Sequence, residues 1–272
     1  MISVVVLTFN EAANLPRCLG SVRWSDDVLV VDSGSTDGTV EVARDLGARV
    51  LARPFDTFAA QRNFAMEHGG LLNRWVLQLD ADETVDEALR LEMTGIACDP
   101  SGSKRVYRVP SRMIFMGRWL RHAGMYPAYQ VRFGRTESLR FVDHGHGQRE
   151  ACEPQDVGTL TAALDHYNFS KGVNDWFSRH LRYAAQEAAL AEVERGSPVD
   201  SRALIGVDPT LRRRALKRLA FRLPLQPALR FFYVYLLRCG FLDGRAGFHY
   251  AVQMGMFQYL IDRNRVELRT RA

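Results

Sequence analysis

WVLQLDADE, residues 75–83, is the stretch from which the rest of the chain can be read. Val76 to Leu79 read as a short buried strand that runs straight into three acids, Asp80, Asp82 and Glu83. In an open α/β sheet, ligands gather at the carboxyl ends of the strands, so acids placed there stand where a ligand would. Two carboxylates one residue apart repel each other at neutral pH unless a cation lies between them. A hard divalent ion such as Mg²⁺ or Mn²⁺ takes one or two carboxylates together with the oxygens of a bound phosphate. Asp80 and Asp82, with the small Ala81 between them, are thus candidates for a metal–diphosphate site. The competing reading is a strand end passing into an acidic helix start, with Asp82 or Thr84 as its cap.

The residues upstream favour the first reading. ISVVVLT (2–8) is a near-continuous β-branched run, as in a strand covered on both faces of a parallel sheet. It ends in Phe9-Asn10-Glu11 and leads into a helical stretch from about Ala12 to Val22, with Asn10 a possible N-cap. DVLVVD (27–32) is a second strand, followed by the turn-rich SGSTDG (33–38). Thr39 to Leu46 read as a helix, Ala48 to Ala52 as a strand, and Phe58 to His68 as a helix carrying Gln61-Arg62-Asn63. An amphipathic helix from about Asp86 to Ala97 follows the acidic motif. The first hundred residues therefore alternate strand and helix, which implies a mostly parallel, Rossmann-like sheet with helices on both faces. Thr8–Glu11, Asp32–Asp37 and Asp80–Glu83 then fall on one edge of it.

Composition sets the outer bounds. At 272 residues, 47% hydrophobic and 25% charged, the chain matches an ordinary globular protein. No apolar run reaches the roughly 18 residues of a membrane-spanning helix, and nothing after Met1 resembles a signal peptide. Four cysteines, none in a CxxC pair, argue against a zinc site or a disulfide framework and make a reducing cytoplasm the expectation. The net charge of +5 hides an asymmetry. Residues 1–100 carry 8 basic and 16 acidic side chains, residues 201–272 carry 14 basic and 4 acidic. A basic tail of this kind suits an anionic lipid surface or a phosphorylated substrate.

After Pro100 the texture changes. Arg105 to Pro110 and Ala128 to Phe133 read as strands, separated by MIFMGRWLRHAGMYP, a loop suited to touching a ligand. VDHGHGQRE (142–150) reads as a second polar loop. A helix follows from about Val173 to Arg195. The basic, apolar segment Leu211 to Leu242 is broken by Pro224 and Pro227 into two helices, and a last helix runs to about Ile261. The expected division is 1–100, 101–170 and a helical extension, 171–272.

TFNE (8–11), VVDSGSTDGT (30–39), FAAQRN (58–63) and LDADE (79–83), in this order, resemble the family 2 glycosyltransferases of the GT-A fold. HYNFS (166–170), RHLRYAAQEA (179–188) and GFLDGRAG (240–247) are similar to the branch with the bacterial lipopolysaccharide-core β-glucosyltransferases. The resemblance implies a nucleoside-diphosphate sugar, with UDP-glucose the first candidate, as donor, a divalent metal, and a glycan or lipid-linked acceptor. The first hundred residues would be the donor-binding half of a GT-A domain and residues 101–170 the acceptor-binding half. Thr8, Asn10 and Glu11 would lie beside the nucleotide, and Asp32 would accept hydrogen bonds from base or ribose. Ser33, Gly34, Ser35 and Asp37 would form the turn that approaches the donor, with Asp37 capping the next helix. Arg62 would add positive charge near the donor. Asp80 and Asp82 would hold the metal, and the metal the two phosphates.

Inverting members of this family attack the anomeric carbon directly with an acceptor hydroxyl, which needs a base within hydrogen-bond reach. The family places an acid in the loop that here reads VDHGHGQRE. Asp143, His144, His146 and Glu150 are chemically able; Glu150 ranks first, then Asp143 and His146. The same LDADETV also fits the nucleophile motif of haloacid-dehalogenase-type phosphatases. That motif belongs on a first strand, whereas three βα units precede it here. A non-catalytic membrane-associated module leaves the acidic cluster unexplained. For the tail, the expectation is a peripheral contact of residues 211–242 with anionic lipid on the inner face of the cytoplasmic membrane.

Overall fold

The computed structural model describes residues 1–99, 102–144, 147–195 and 225–271. His146 and residues 196–224, with Arg212, Arg213, Arg214, Lys217, Arg218 and Arg222 of the expected basic helix, lie outside the described residues. Contacts divide the chain into two units: residues 1–119 with 126–170, and residues 120–125 with 171–272.

The first unit is built on one mixed sheet. Strands β1 (Ile2–Thr8), β2 (Val28–Asp32), β3 (Arg49–Ala52) and β4 (Trp75–Asp80) lie in the order β3-β2-β1-β4, all parallel. The β-branched run of β1 puts it at the centre, with Val4, Val5 and Val6 wholly buried. Because successive side chains point to opposite faces, Val4 and Val6 enter one core layer and Val5 the other. The first layer is covered by α1 (Leu15–Gly20), α2 (Thr39–Asp45) and α4 (Glu87–Cys98), the second by α3 (Phe58–His68). The first helix is shorter than its sequence suggests, since Asn10 has φ +54° and carries the chain out of strand geometry without capping. Thr57 caps α3 by accepting from the Ala60 N–H, and Asp86 caps α4 by accepting from that of Leu89. A cap at Asp86 removes the alternative reading in which Asp82 or Thr84 started this helix.

Past residue 100 the sheet becomes mixed. It runs from β4 to β8 (Ala128–Arg135), then to β6 (Val106–Phe115), β12 (Leu164–His166) and the two-residue β5 (Glu83–Thr84). The β4–β8, β8–β6 and β12–β5 pairings are antiparallel, and β6–β12 is parallel. β7 (Arg118–Trp119) turns back on β6, so part of the expected aromatic loop is a hairpin tip. The described parts of the expected polar loop 142–150 belong to a ribbon of β9 (Phe141–His144) and β10 (Gly147–Glu150). β11 (Val157–Thr159) adds to β6.

In the second unit, α5 (Gly172–Arg195) packs on α7 (Gly244–Arg271) through Ala184, Ala188 and Ile261. α7 continues well past Ile261 because Arg265 and Arg269 of its last turns pair with Glu192 of α5 at 2.9 and 2.6 Å. α6 (Gln226–Phe232) runs into a π turn, Tyr233–Leu237, and a 3₁₀ turn, Gly240–Asp243, leads into α7. The buried Asp243 accepts from the backbone N–H groups of His122 and Ala123 at 3.0 and 2.8 Å. Close packing requires glycine here: a Cβ on Gly247 would lie 1.9 Å from the Gly240 carbonyl oxygen.

Candidate active site

Parallel register brings the three polar clusters together. Thr8 of β1 stands opposite Asp32 of β2, and Leu7 opposite Asp80 of β4. The strand ends are stitched by side chains. Thr8 donates to Asp32 Oδ1 at 3.0 Å, and Ser35 Oγ donates to the same oxygen. Asp32 Oδ2 accepts from the Gly34 and Ser35 N–H groups at 3.0 and 2.8 Å. With four donors satisfied inside the protein and 2% exposure, Asp32 organises the turn and is not presented as an open acceptor for a ribose. Gly34, at φ +88°, supplies the left-handed corner of that turn. Asn10 closes it from the β1 side: its N–H donates to Ser35 Oγ and its Oδ1 accepts from the Thr36 N–H. Glu11 takes the Asn14 side-chain amide at 2.7 Å. Asp37 holds the Thr39 N–H and hydroxyl and the Ala12 N–H; the cap position of α2 belongs to Gly38, at φ +86°.

Three consecutive residues of α3 pin three parts of this edge. Gln61 donates to Ser33 Oγ at 3.1 Å, Arg62 to Asp80 Oδ1 at 2.6 Å, and Asn63 to the Phe141 carbonyl at 2.8 Å. Asn63 also accepts the Phe141 N–H, which ties the β9–β10 ribbon to α3. Arg62 is 1% exposed and also donates to Gln78. It is a buried partner of Asp80; the expectation was positive charge near the donor.

Asp80 is bound on both sides. Arg132 of β8 donates to its Oδ2 at 2.5 Å and also reaches Glu83 Oε1 at 3.2 Å. Glu83 Oε2 accepts the Asp80 N–H. Burial, reinforced by Asp80, raises the Glu83 carboxyl pKa above its ordinary value. The expected grip of Asp80 and Asp82 on one cation therefore differs from the arrangement seen, in which guanidinium groups occupy both Asp80 oxygens. Asp82 instead faces His166 of β12, with Oδ1 3.3 Å from Nε2. Antiparallel pairing of β12 with β5 sets His166 opposite Glu83 and so creates this neighbour. Burial opposes a charge on His166, but Asp82 draws its pKa up to about 9. A carboxylate beside an imidazole is a donor set that suits Mn²⁺ or another first-row divalent ion. Among the described residues, no group of three His, Cys, Asp or Glu side chains is arranged around a metal position. The small Ala81 between the two acids is itself buried.

The candidate bases sit on the ribbon. Asp143 pairs with Gln148 and Glu150 with Phe141, which puts Asp143 and Glu150 on the ribbon face that carries the buried Phe141 ring. The Arg62 guanidinium lies 5.7 Å from the centre of that ring. His166 and Arg132 were not legible as site residues beforehand. HYNFS was the one available signal for His166, and an Arg inside an apolar strand the one for Arg132.

Residues 3–97 match the model of glycosyl transferase family 2. An uncharacterized glycosyltransferase of Rickettsia prowazekii is 41% identical over 93 residues, 34% of this chain and 31% of that one. The lipopolysaccharide core biosynthesis glycosyltransferase LpsC of Rhizobium meliloti is 30% identical over 164 residues, 58% of this chain and 57% of that one. The chain thus spans about a third of the length of the Rickettsia relatives it matches. Among solved structures, a Pyrobaculum calidifontis mannosyltransferase in complex with GDP-mannose and Mn²⁺ overlaps 97% of this chain and 86% of that one. Its identity is 19% and its TM-score 0.46. The strand-end clusters Thr8–Glu11, Asp32–Asp37 and Asp80–Glu83 all fall within residues 3–97, the part of the chain that is similar to glycosyl transferase family 2.

Proposed function

We propose that the protein is an inverting glycosyltransferase that moves a sugar from a nucleoside diphosphate to a hydroxyl of a glycan or lipid-linked acceptor. Cell-envelope polysaccharide or lipopolysaccharide assembly is the setting we infer. The observation that carries this reading is the meeting of the Thr8, Asp32 and Asp80 strand ends at one edge, with Asp82 and His166 beside them. The turn 33–37 and Asn10 would receive the nucleoside, and backbone N–H groups of that turn would approach the diphosphate. Asp82 and His166 would hold the divalent ion. That ion, when bound, supplies positive charge against the leaving diphosphate. Arg62 and Arg132 keep Asp80 rigid, so the donor edge does not reorganise as charge develops. Glu150, or Asp143 on the same ribbon face, would take the proton from the attacking hydroxyl.

The phosphatase reading needs an Asp80 oxygen open for attack on phosphorus, and both are held by guanidinium groups. Calorimetric titration with UDP, GDP and dTDP in the presence of Mn²⁺ tests the proposal; binding of at least one is expected. Turnover of UDP-glucose or another sugar donor, with the product anomer read by NMR, tests inversion. No binding of any of the three by folded protein, or hydrolysis of a simple phosphomonoester that Asp80→Asn abolishes, would overturn it.

A further inference from the structure

Residues 225–242 expose an unusual face. Every exposed side chain in this segment is aliphatic or aromatic, and its larger members include Leu225, Leu229, Phe232, Tyr233, Leu236 and Leu237. Their spacing of three and four makes one continuous stripe along α6 and the π turn. The stripe is not a core face turned slightly outward, because the inner face is already filled. Phe231 and Tyr235 stack on each other at 5.4 Å and meet Phe248 of α7 at 5.9 and 5.7 Å, while Val234 is 1% exposed. A helix apolar on both faces is normally enclosed by protein or lipid. Here Leu237 is 77% exposed.

The charges within the stripe's own segment are of one sign: residues 225–242 contain Arg230 and Arg238 and no acid. The next acid, Asp243, is buried and occupied by two backbone N–H groups. Arg230 lies against the stripe, 5.7 Å from the Tyr233 ring. A second copy meeting this face across a two-fold axis would bring these arginines toward their own counterparts with no acid between them. Anionic lipid headgroups, by contrast, neutralise the arginines while the side chains enter the acyl boundary.

We propose that the stripe from Leu225 to Leu242 is a docking surface for an anionic lipid bilayer. Residues 226–237 would lie in the plane of the interface, since twelve helical residues reach only about 18 Å against a hydrocarbon core of about 30 Å. No helix among the described residues is long and apolar enough to cross. The docking is independent of the glycosyl-transfer reading and stands or falls on its own experiment.

The whole protein is sedimented with vesicles of phosphatidylcholine alone and of phosphatidylcholine mixed with phosphatidylglycerol, across a salt series. Binding is expected with the anionic vesicles at low salt, weakening as salt rises. The double variant L236E/L237E, at two exposed positions, is expected to bind about ten-fold more weakly with an unchanged melting temperature. Arg230→Gln with Arg238→Gln is expected to weaken binding and flatten the salt dependence. Three results overturn the proposal. The parent could stay in the supernatant with both vesicles. L236E/L237E could bind as the parent does, which would assign the lipid contact to another part of the chain. Or velocity sedimentation could show a dimer that L236E/L237E dissociates and vesicles do not, making a second copy the occupant.

Discussion

Asp80 and Asp82 are separated by one residue and have different partners, and neighbours far away in sequence set the difference. Arg132 reaches Asp80 from 52 residues away. Arg132→Met would leave Asp80 with Arg62 as its one cationic partner and take the donor from Glu83 Oε1, so we expect a loss of about 3–5 kcal/mol in urea unfolding. Asp82→Ala or His166→Ala should spare the fold and abolish Mn²⁺-dependent nucleotide binding, measured by calorimetry; binding equal to the parent's would remove these residues from the site. At the opposite edge of the sheet, Asp27 is 2% exposed and accepts from Ser3, Arg49 and the Leu72 N–H. Burial opposes its charge, but these donors hold its pKa below the ordinary 3.8. Its stabilisation is therefore complete above pH 3.8 and lost as pH falls through the depressed value. Asp27→Asn should lower stability at pH 7 by about 2 kcal/mol, and the gap should close in strong acid. The acids of the site were legible because they end an apolar run. Their partners were not, because a strand pattern reports burial and says nothing of which charge lies across the sheet.

The same contrast recurs among the elements. β1 and β2 were readable because β-branched runs leave few alternatives, and β4 because its short apolar run ends in acids. The β9–β10 ribbon read as a loop because its glycines and charges hide a two-residue alternation, and it is held through Asn63. The end of α7 was missed because ion pairs with Glu192, not an apolar period, carry its last turns. The GFLDGRAG motif gave no chemistry in the sequence; its work is mechanical. Gly247→Ala would drive a methyl group into the Gly240 carbonyl, and we expect a loss of about 1–3 kcal/mol or more in the melting of the helical unit. Asp243→Ala would strand two N–H groups, at about 1–3 kcal/mol each. Hydrogen exchange at His122 and Ala123 should then accelerate, and unchanged protection would mean that other contacts hold the segment.

For the molecule as a whole, the division into units does not follow the order of the chain. Residues 120–125 leave the sheet unit after Trp119 and return to it at Tyr126, having joined the helical unit in between. A protein ended at Ser170 should therefore expose Leu120 and Ala123, both wholly buried in the full chain, and aggregate more readily than the parent in light scattering. The arrangement also has a timetable. Asp243 lies 120 residues after Ala123, so at about 5–20 residues per second a ribosome needs about 6–24 s to deliver it. During that interval the β-strands on either side of the segment have been synthesised while their connection still lacks its anchor. We therefore expect the nascent protein to be open to proteases at this connection until Asp243 has emerged, which limited proteolysis of ribosome-bound chains of increasing length would show.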